Sequence, residues 1–130
     1  ASVLSDRSQF FQDLTMAFYG YNRPGAKVSE GVRQSFWLQG MMAGFPASYF
    51  CIKAFSETDQ TEDLKKFDVP TLIIHGAEDF IVPEAPTLVQ RLITSAELVV
   101  IPDSGHYPFI EQPEAFTDAL RSFINRTRNR

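Results

Sequence analysis

Two short runs decide the fold: Thr71-Leu72-Ile73-Ile74-His75, ended by Gly76, and Glu97-Leu98-Val99-Val100-Ile101, closed by Pro102. Each is largely apolar, rich in β-branched residues and too short for a helix, the profile of a buried parallel strand. Between them, Pro83 to Thr94 sets Ala85, Leu88, Val89 and Leu92 at helical spacing. Behind the second run, Pro113 suits a first helical position, and Phe116, Ala119, Leu120, Phe123 and Ile124 form one apolar stripe. Strand, helix, strand, helix predicts a right-handed βαβ unit and an α/β class. Two parallel strands alone would expose both edges, whereas such strands belong to larger covered sheets, so these runs read as the end of a bigger sheet.

Upstream of Pro70 the period is helical. Ser5 or Asp6 can cap a helix with Phe10, Phe11, Leu14 and Phe18 on one face, stopped by Asn22-Arg23-Pro24-Gly25. Ser29 offers a second cap, followed by Val32, Phe36, Trp37 and Met41. Pro46 opens a third helix carrying Tyr49, Phe50, Ile52 and Phe55, and Thr58 to Phe67 reads as a short charged helix. Met41, Met42, Phe36 and Trp37 could line an acyl pocket, but core packing is the favoured reading, as it is for Cys51. The division expected is a helical segment over residues 1–66 and a β-α-β-α segment over 67–130.

Composition sets the bounds. The chain has 130 residues, 44% of them apolar and 22% charged, enough to bury a core. Twelve Lys and Arg against sixteen Asp and Glu give a net charge of −4, which argues against a nucleic-acid partner. One cysteine makes no intramolecular disulfide. No apolar run approaches the roughly 18 residues of a membrane span, and the first residues do not read as a signal peptide, so the expectation is no membrane partner and a cytoplasmic chain.

Chemistry should lie in the loops after the strands' carboxyl ends, where open α/β sheets place their sites. Asp79 stands in the first loop and His106, after Gly105, in the second, 27 residues apart. Taken singly, the Asp is a turn former and the His a surface residue. On adjacent parallel strands they can pair, the carboxylate fixing the ring's tautomer while the other nitrogen works as a general base. His75 could join them as a two-histidine, one-carboxylate iron site, but a histidine ending a buried strand reads better as a satisfied structural residue.

Phe67-Asp68-Val69-Pro70, the first strand with Gly76, then Asp79, Val82-Pro83 and Ser104-Gly105-His106 resemble the C-terminal part of an α/β-hydrolase. Phe18-Tyr19-Gly20-Tyr21-Asn22-Arg23, Trp37-Leu38-Gln39-Gly40-Met41-Met42 and Phe55-Ser56-Glu57-Thr58-Asp59 resemble the helical cap of cofactor-free (non-haem) haloperoxidases, esterase-like enzymes also called perhydrolases. The resemblance implies a partial α/β-hydrolase fold with a cap over 1–66, and places Asp79 and His106 at the acid and histidine positions of a Ser-His-Asp triad. It implies no cofactor and no metal. The implied reaction acylates a serine, which water or peroxide then attacks, so the partners would be a small acyl ester, or a carboxylic acid with peroxide.

The sequence also departs from that family. Its nucleophile is the serine of G-x-S-x-G, and no such motif occurs here; Gly40-Met41-Met42-Ala43-Gly44 has the glycine spacing with methionine at the nucleophile position. Family chain order is Ser, Asp, His, so the serine is expected before Ala1 and the chain reads as roughly the second half of such an enzyme. Ser104, two residues from His106, reads as a turn residue. An open strand edge and uncovered apolar faces give the further expectation of a homo-oligomer. The rival to a hydrolase half is a catalytically inactive chain acting through self-association or docking.

Overall fold

A computed structural model describes residues 2–128. Its elements run α1 (Ser2–Ser5), α2 (Arg7–Phe18), α3 (Glu30–Met42), α4 (Phe45–Glu57), α5 (Thr61–Leu64), β1 (Thr71–Gly76), α6 (Ala85–Leu92), β2 (Ala96–Ile101), α7 (Pro108–Glu111) and α8 (Pro113–Thr127). The two strands pair in parallel, with Thr71 opposite Ala96 and Gly76 opposite Ile101. The α/β class and the strand-helix-strand-helix order are those predicted.

The helical half forms where the sequence offers caps. Asp6 accepts the Gln9 N–H at 2.8 Å, which selects it over Ser5 as the cap of α2. Ser29 accepts the Val32 N–H at 3.3 Å and starts α3. The end of α2 comes earlier than the Asn22–Gly25 turn, because Gly20 takes φ 72° and lets the Tyr21 N–H reach the Met16 carbonyl at 2.8 Å. That left-handed closure costs a glycine little and any other residue more. Cross-links then fasten α2 to α3: Trp37 Nε1 donates to Ser8 Oγ at 3.3 Å, and Arg33 Nε donates to Thr15 Oγ1 at 3.2 Å. The Arg33 guanidinium also lies 4.3 Å from the Tyr21 ring centroid.

The helix expected over Pro83–Thr94 is shorter. Pro83 lies outside it, and α6 begins at Ala85 with Pro86 in its first turn, where a missing N–H costs nothing. The charged stretch after Thr58 contracts to the single turn α5, and α7 is an extra turn unforeseen in the sequence. The strands are less covered than a buried-strand reading predicts. Ile101 is 2% exposed but Val100 is 50% exposed, because the described residues supply no third strand. Burying each of Ile93, which follows α6, and Ile101, which ends β2, contributes about 1.5–3 kcal/mol.

Two packing expectations are corrected. Cys51 is exposed, not core. Met42 is exposed at the end of α3, and Phe50 and Phe55 stand out from α4, whose one buried residue is Ser48. The spacing of these apolar residues makes a helix face, but no other described element covers it. These faces and the open sheet edges are the surfaces behind the expectation of self-association.

Candidate active site

The site is built by the loops that continue β1 and β2. Beyond the ladder, the Ala77 N–H donates to the Ile101 carbonyl and the Glu78 N–H to the Ser104 carbonyl, both at 2.8 Å, so the two loops stay zipped together past the strand ends. Gly76 permits this approach: a Cβ there would lie 2.0 Å from the Gly105 carbonyl oxygen and 2.4 Å from that of Ser104. The turn of the second loop is made by Asp103 at φ 52°, one of the few side chains that tolerate that region. Gly105 has no positive φ and serves by being small.

These loops bring Asp79 and His106 together. His106 Nδ1 stands 2.9 Å from Asp79 Oδ2. Asp79 is 6% exposed, and its other oxygen accepts the Ile81 N–H at 2.7 Å and the Val82 N–H at 3.3 Å. Burial alone would push the Asp79 carboxyl up. The hydrogen bond from His106, the two backbone N–H bonds and the charge of His106 outweigh it and hold the group below its ordinary range. With Asp79 ionised, the imidazole donates from Nδ1, and Nε2 carries the lone pair. No hydrogen bond engages that Nε2 among the described residues.

A depressed carboxyl pKa fixes the sign of an acid effect. The unfolded carboxyl titrates near 3.9, so the stability Asp79 contributes is complete above that value and is lost as pH falls through the lower, folded value. Urea denaturation of the wild type and Asp79→Asn should therefore show a stability difference that is largest near neutrality and shrinks below about pH 4. A difference that stays constant down to acid would contradict the pairing.

The remaining candidates separate. His75 Nε2 is buried, 3.4 Å from Asp79 Oδ2, yet it makes no hydrogen bond; the atoms are close but poorly aligned. The expectation of a satisfied structural histidine is not met at Nε2. Ser104, expected as a turn residue, follows the turn at Pro102 and Asp103 and is fully buried, with its carbonyl holding Glu78 and its Oγ unpartnered. Among the described residues no three His, Cys, Asp or Glu side chains are grouped to hold a metal ion. No helix there is long and apolar enough to cross a membrane.

Aromatic rings from the helical half roof the histidine. The Phe18 centroid lies 4.7 Å from the His106 ring and 5.1 Å from that of Tyr107. Tyr19 and Phe36 reach Tyr107 at 5.3 and 6.3 Å. Burial pushes the Tyr107 hydroxyl pKa up, and burial followed by the nearby Tyr107 does the same for Tyr19, so both stay neutral near pH 7.

An α/β hydrolase family profile matches residues 3–119. The chain belongs to the α/β-hydrolase family. A non-haem haloperoxidase of Rhodococcus erythropolis is 48% identical over 127 residues, which is 95% of this chain and 46% of that protein. A bifunctional esterase/perhydrolase of Acinetobacter calcoaceticus is 43% identical over 125 residues, 94% of this chain and 45% of that protein. The bromoperoxidase structure from Bacillus anthracis superposes with a TM-score of 0.89 at 33% identity, covering 95% of this chain and 45% of that one. This α/β-hydrolase chain thus spans about half the length of the relatives it matches. The two parallel strands and their helices make a partial α/β-hydrolase fold.

Proposed function

We propose that the chain supplies the acid–base arm of a serine-dependent esterase or perhydrolase of the non-haem haloperoxidase kind, as the C-terminal part of the enzyme. The observation that carries this reading is the Asp79–His106 pair, with Nδ1 engaged and Nε2 free at the carboxyl end of parallel strands. A serine hydroxyl, outside these residues, would attack the acyl carbonyl and pass its proton to His106 Nε2. The departing alcohol takes that proton. Water or hydrogen peroxide then attacks the acyl-serine, its proton passing through His106 to the serine oxygen, and acid or peracid leaves. Asp79 orients the ring and stabilises the imidazolium in each half-reaction. Phe18 and Tyr107, packed on the ring, would exclude water and favour small acyl groups. A cytoplasmic setting belongs to the same proposal.

The rival, an inactive chain that acts by self-association or docking, draws on the exposed Phe50 and Phe55 of α4. Assay separates the two. Alone, the chain should hydrolyse p-nitrophenyl acetate no faster than its His106→Ala variant, having no G-x-S-x-G motif. Fused behind the segment of the Rhodococcus erythropolis relative that it does not cover, it should give an acyl-enzyme burst, and peracid when acetate and peroxide are supplied. A well-folded fusion with no burst and no turnover would favour the docking reading.

A further inference from the structure

We infer that Glu111 is a positioning residue for His106, with Arg23 as its counter-ion, an inference that rests on the acid–base role proposed for His106. Glu111 ends α7 with its side chain 4% exposed. Its Oε1 accepts the Gly105 N–H at 2.9 Å and the Tyr107 N–H at 3.4 Å, the two amides on either side of His106. Its Oε2 meets Arg23 Nη2 at 2.5 Å, and the same nitrogen donates to the Asp103 carbonyl at 2.9 Å. Gln112 Nε2 adds a bond to that carbonyl at 3.1 Å. The Asp103 carbonyl and the Gly105 and Tyr107 amides are thereby held by one carboxylate, its arginine and Gln112.

A carboxylate this buried is costly unless nearly all its acceptor sites are filled, and here both oxygens are. The room is purpose-made. A Cβ on Gly20 would stand 2.5 Å from Glu111 Oε2 and 2.7 Å from Arg23 Nη2, and one on Gly105 would stand 3.1 Å from Glu111 Oε1. Gly20 and Gly105 also face each other, with the would-be Cβ of Gly105 3.5 Å from Gly20 Cα. The turn after α2 therefore docks on the histidine loop through two glycines and an ion pair. Asp79 fixes the ring; Glu111 fixes the backbone that carries it. The pairing of Glu111 with Arg23 is not legible in the sequence, because a carboxylate 88 residues from its arginine carries no local pattern.

Amide hydrogen exchange on the chain carrying Glu111→Ala tests this, with Glu111→Gln, which keeps an acceptor oxygen, as the variant of lower structural cost. Exchange at Gly105 and Tyr107 should quicken by about tenfold or more, while β2 amides stay within about twofold. The His106 Nδ1–H resonance should weaken with them, a change that a purely structural ion pair would not cause. Unchanged protection at Gly105 and Tyr107, or an intact His106 signal with equal acceleration in β2, would overturn the proposal. Should only the Gln variant fold, the same readouts decide at smaller amplitude. In the fusion described above, kcat should fall by about 10–100-fold with KM nearly unchanged, since a displaced base costs turnover and not substrate binding. Turnover that survives His106→Ala would sink the triad reading instead, and the exchange experiment would still decide whether Glu111 holds the loop.

Discussion

Gly76→Ala should abolish the site by displacing the loop that carries His106. The new methyl would sit 2.0 Å from the Gly105 carbonyl oxygen and 2.6 Å from the Ser104 carbonyl carbon, distances no real Cβ contact reaches. The obstacle is backbone, so no side chain can swing aside. Relief requires the second loop to move off β1, breaking the Glu78-to-Ser104 bond and pulling His106 away from Asp79. We expect a loss of at least about 3 kcal/mol in urea denaturation, in the range reserved for named core failures. Gly31→Ala is the matched control. A Cβ there meets nothing nearer than Ser29 Oγ at 3.8 Å, and in the first turn of α3 it should be neutral or stabilise by up to about 1 kcal/mol. A Gly76→Ala midpoint equal to wild type would mean that the strand ends are not held this close.

Much of this architecture was legible in the sequence, for identifiable reasons. The β1 and β2 runs announce themselves because strands of a parallel sheet are apolar throughout, and the stripe of α8 because its period is helical. Asp79 and His106 were legible as a pair because each follows a strand at the end where such sites form. What escaped was non-local. Gly20 ends α2 by taking a left-handed φ, while the proline three residues after Tyr21 marks the later turn. In the second loop Asp103, not the glycine beside His106, takes the left-handed φ, and its carbonyl is held by Arg23 and Gln112. Cys51 on α4 reads as core from its aromatic neighbours, yet it is exposed, because spacing cannot report whether anything covers the face.

His75 shows the same limit. Its place at the end of β1 predicts burial, and the side chain is half-buried; the orphaned Nε2 depends on the angle at which Asp79 enters from the following loop. The Arg23–Glu111 pair lies further still from anything a local pattern encodes. Sequence spacing identifies which side chains the strands deliver; only the folded loops show which groups hold them there.

The second large effect concerns the two residues at the centre of the account. In the fusion that restores a nucleophile, His106→Ala removes both the base that takes the serine proton and the acid that returns it to the leaving group. Asp79→Asn leaves the ring in place, but an amide can present N–H to Nδ1, favouring the tautomer with the proton on Nε2, where it can no longer accept. Both substitutions act on transition states more than on substrate binding, so kcat should carry the loss. The decisive measurement is the rate of the p-nitrophenol burst for the fusion with His106→Ala or Asp79→Asn, against the unsubstituted fusion, with circular dichroism confirming the fold of each. The account predicts that each variant slows the burst by roughly 10⁴-fold with KM changed little; a folded His106→Ala fusion that keeps its burst rate within about tenfold would contradict it.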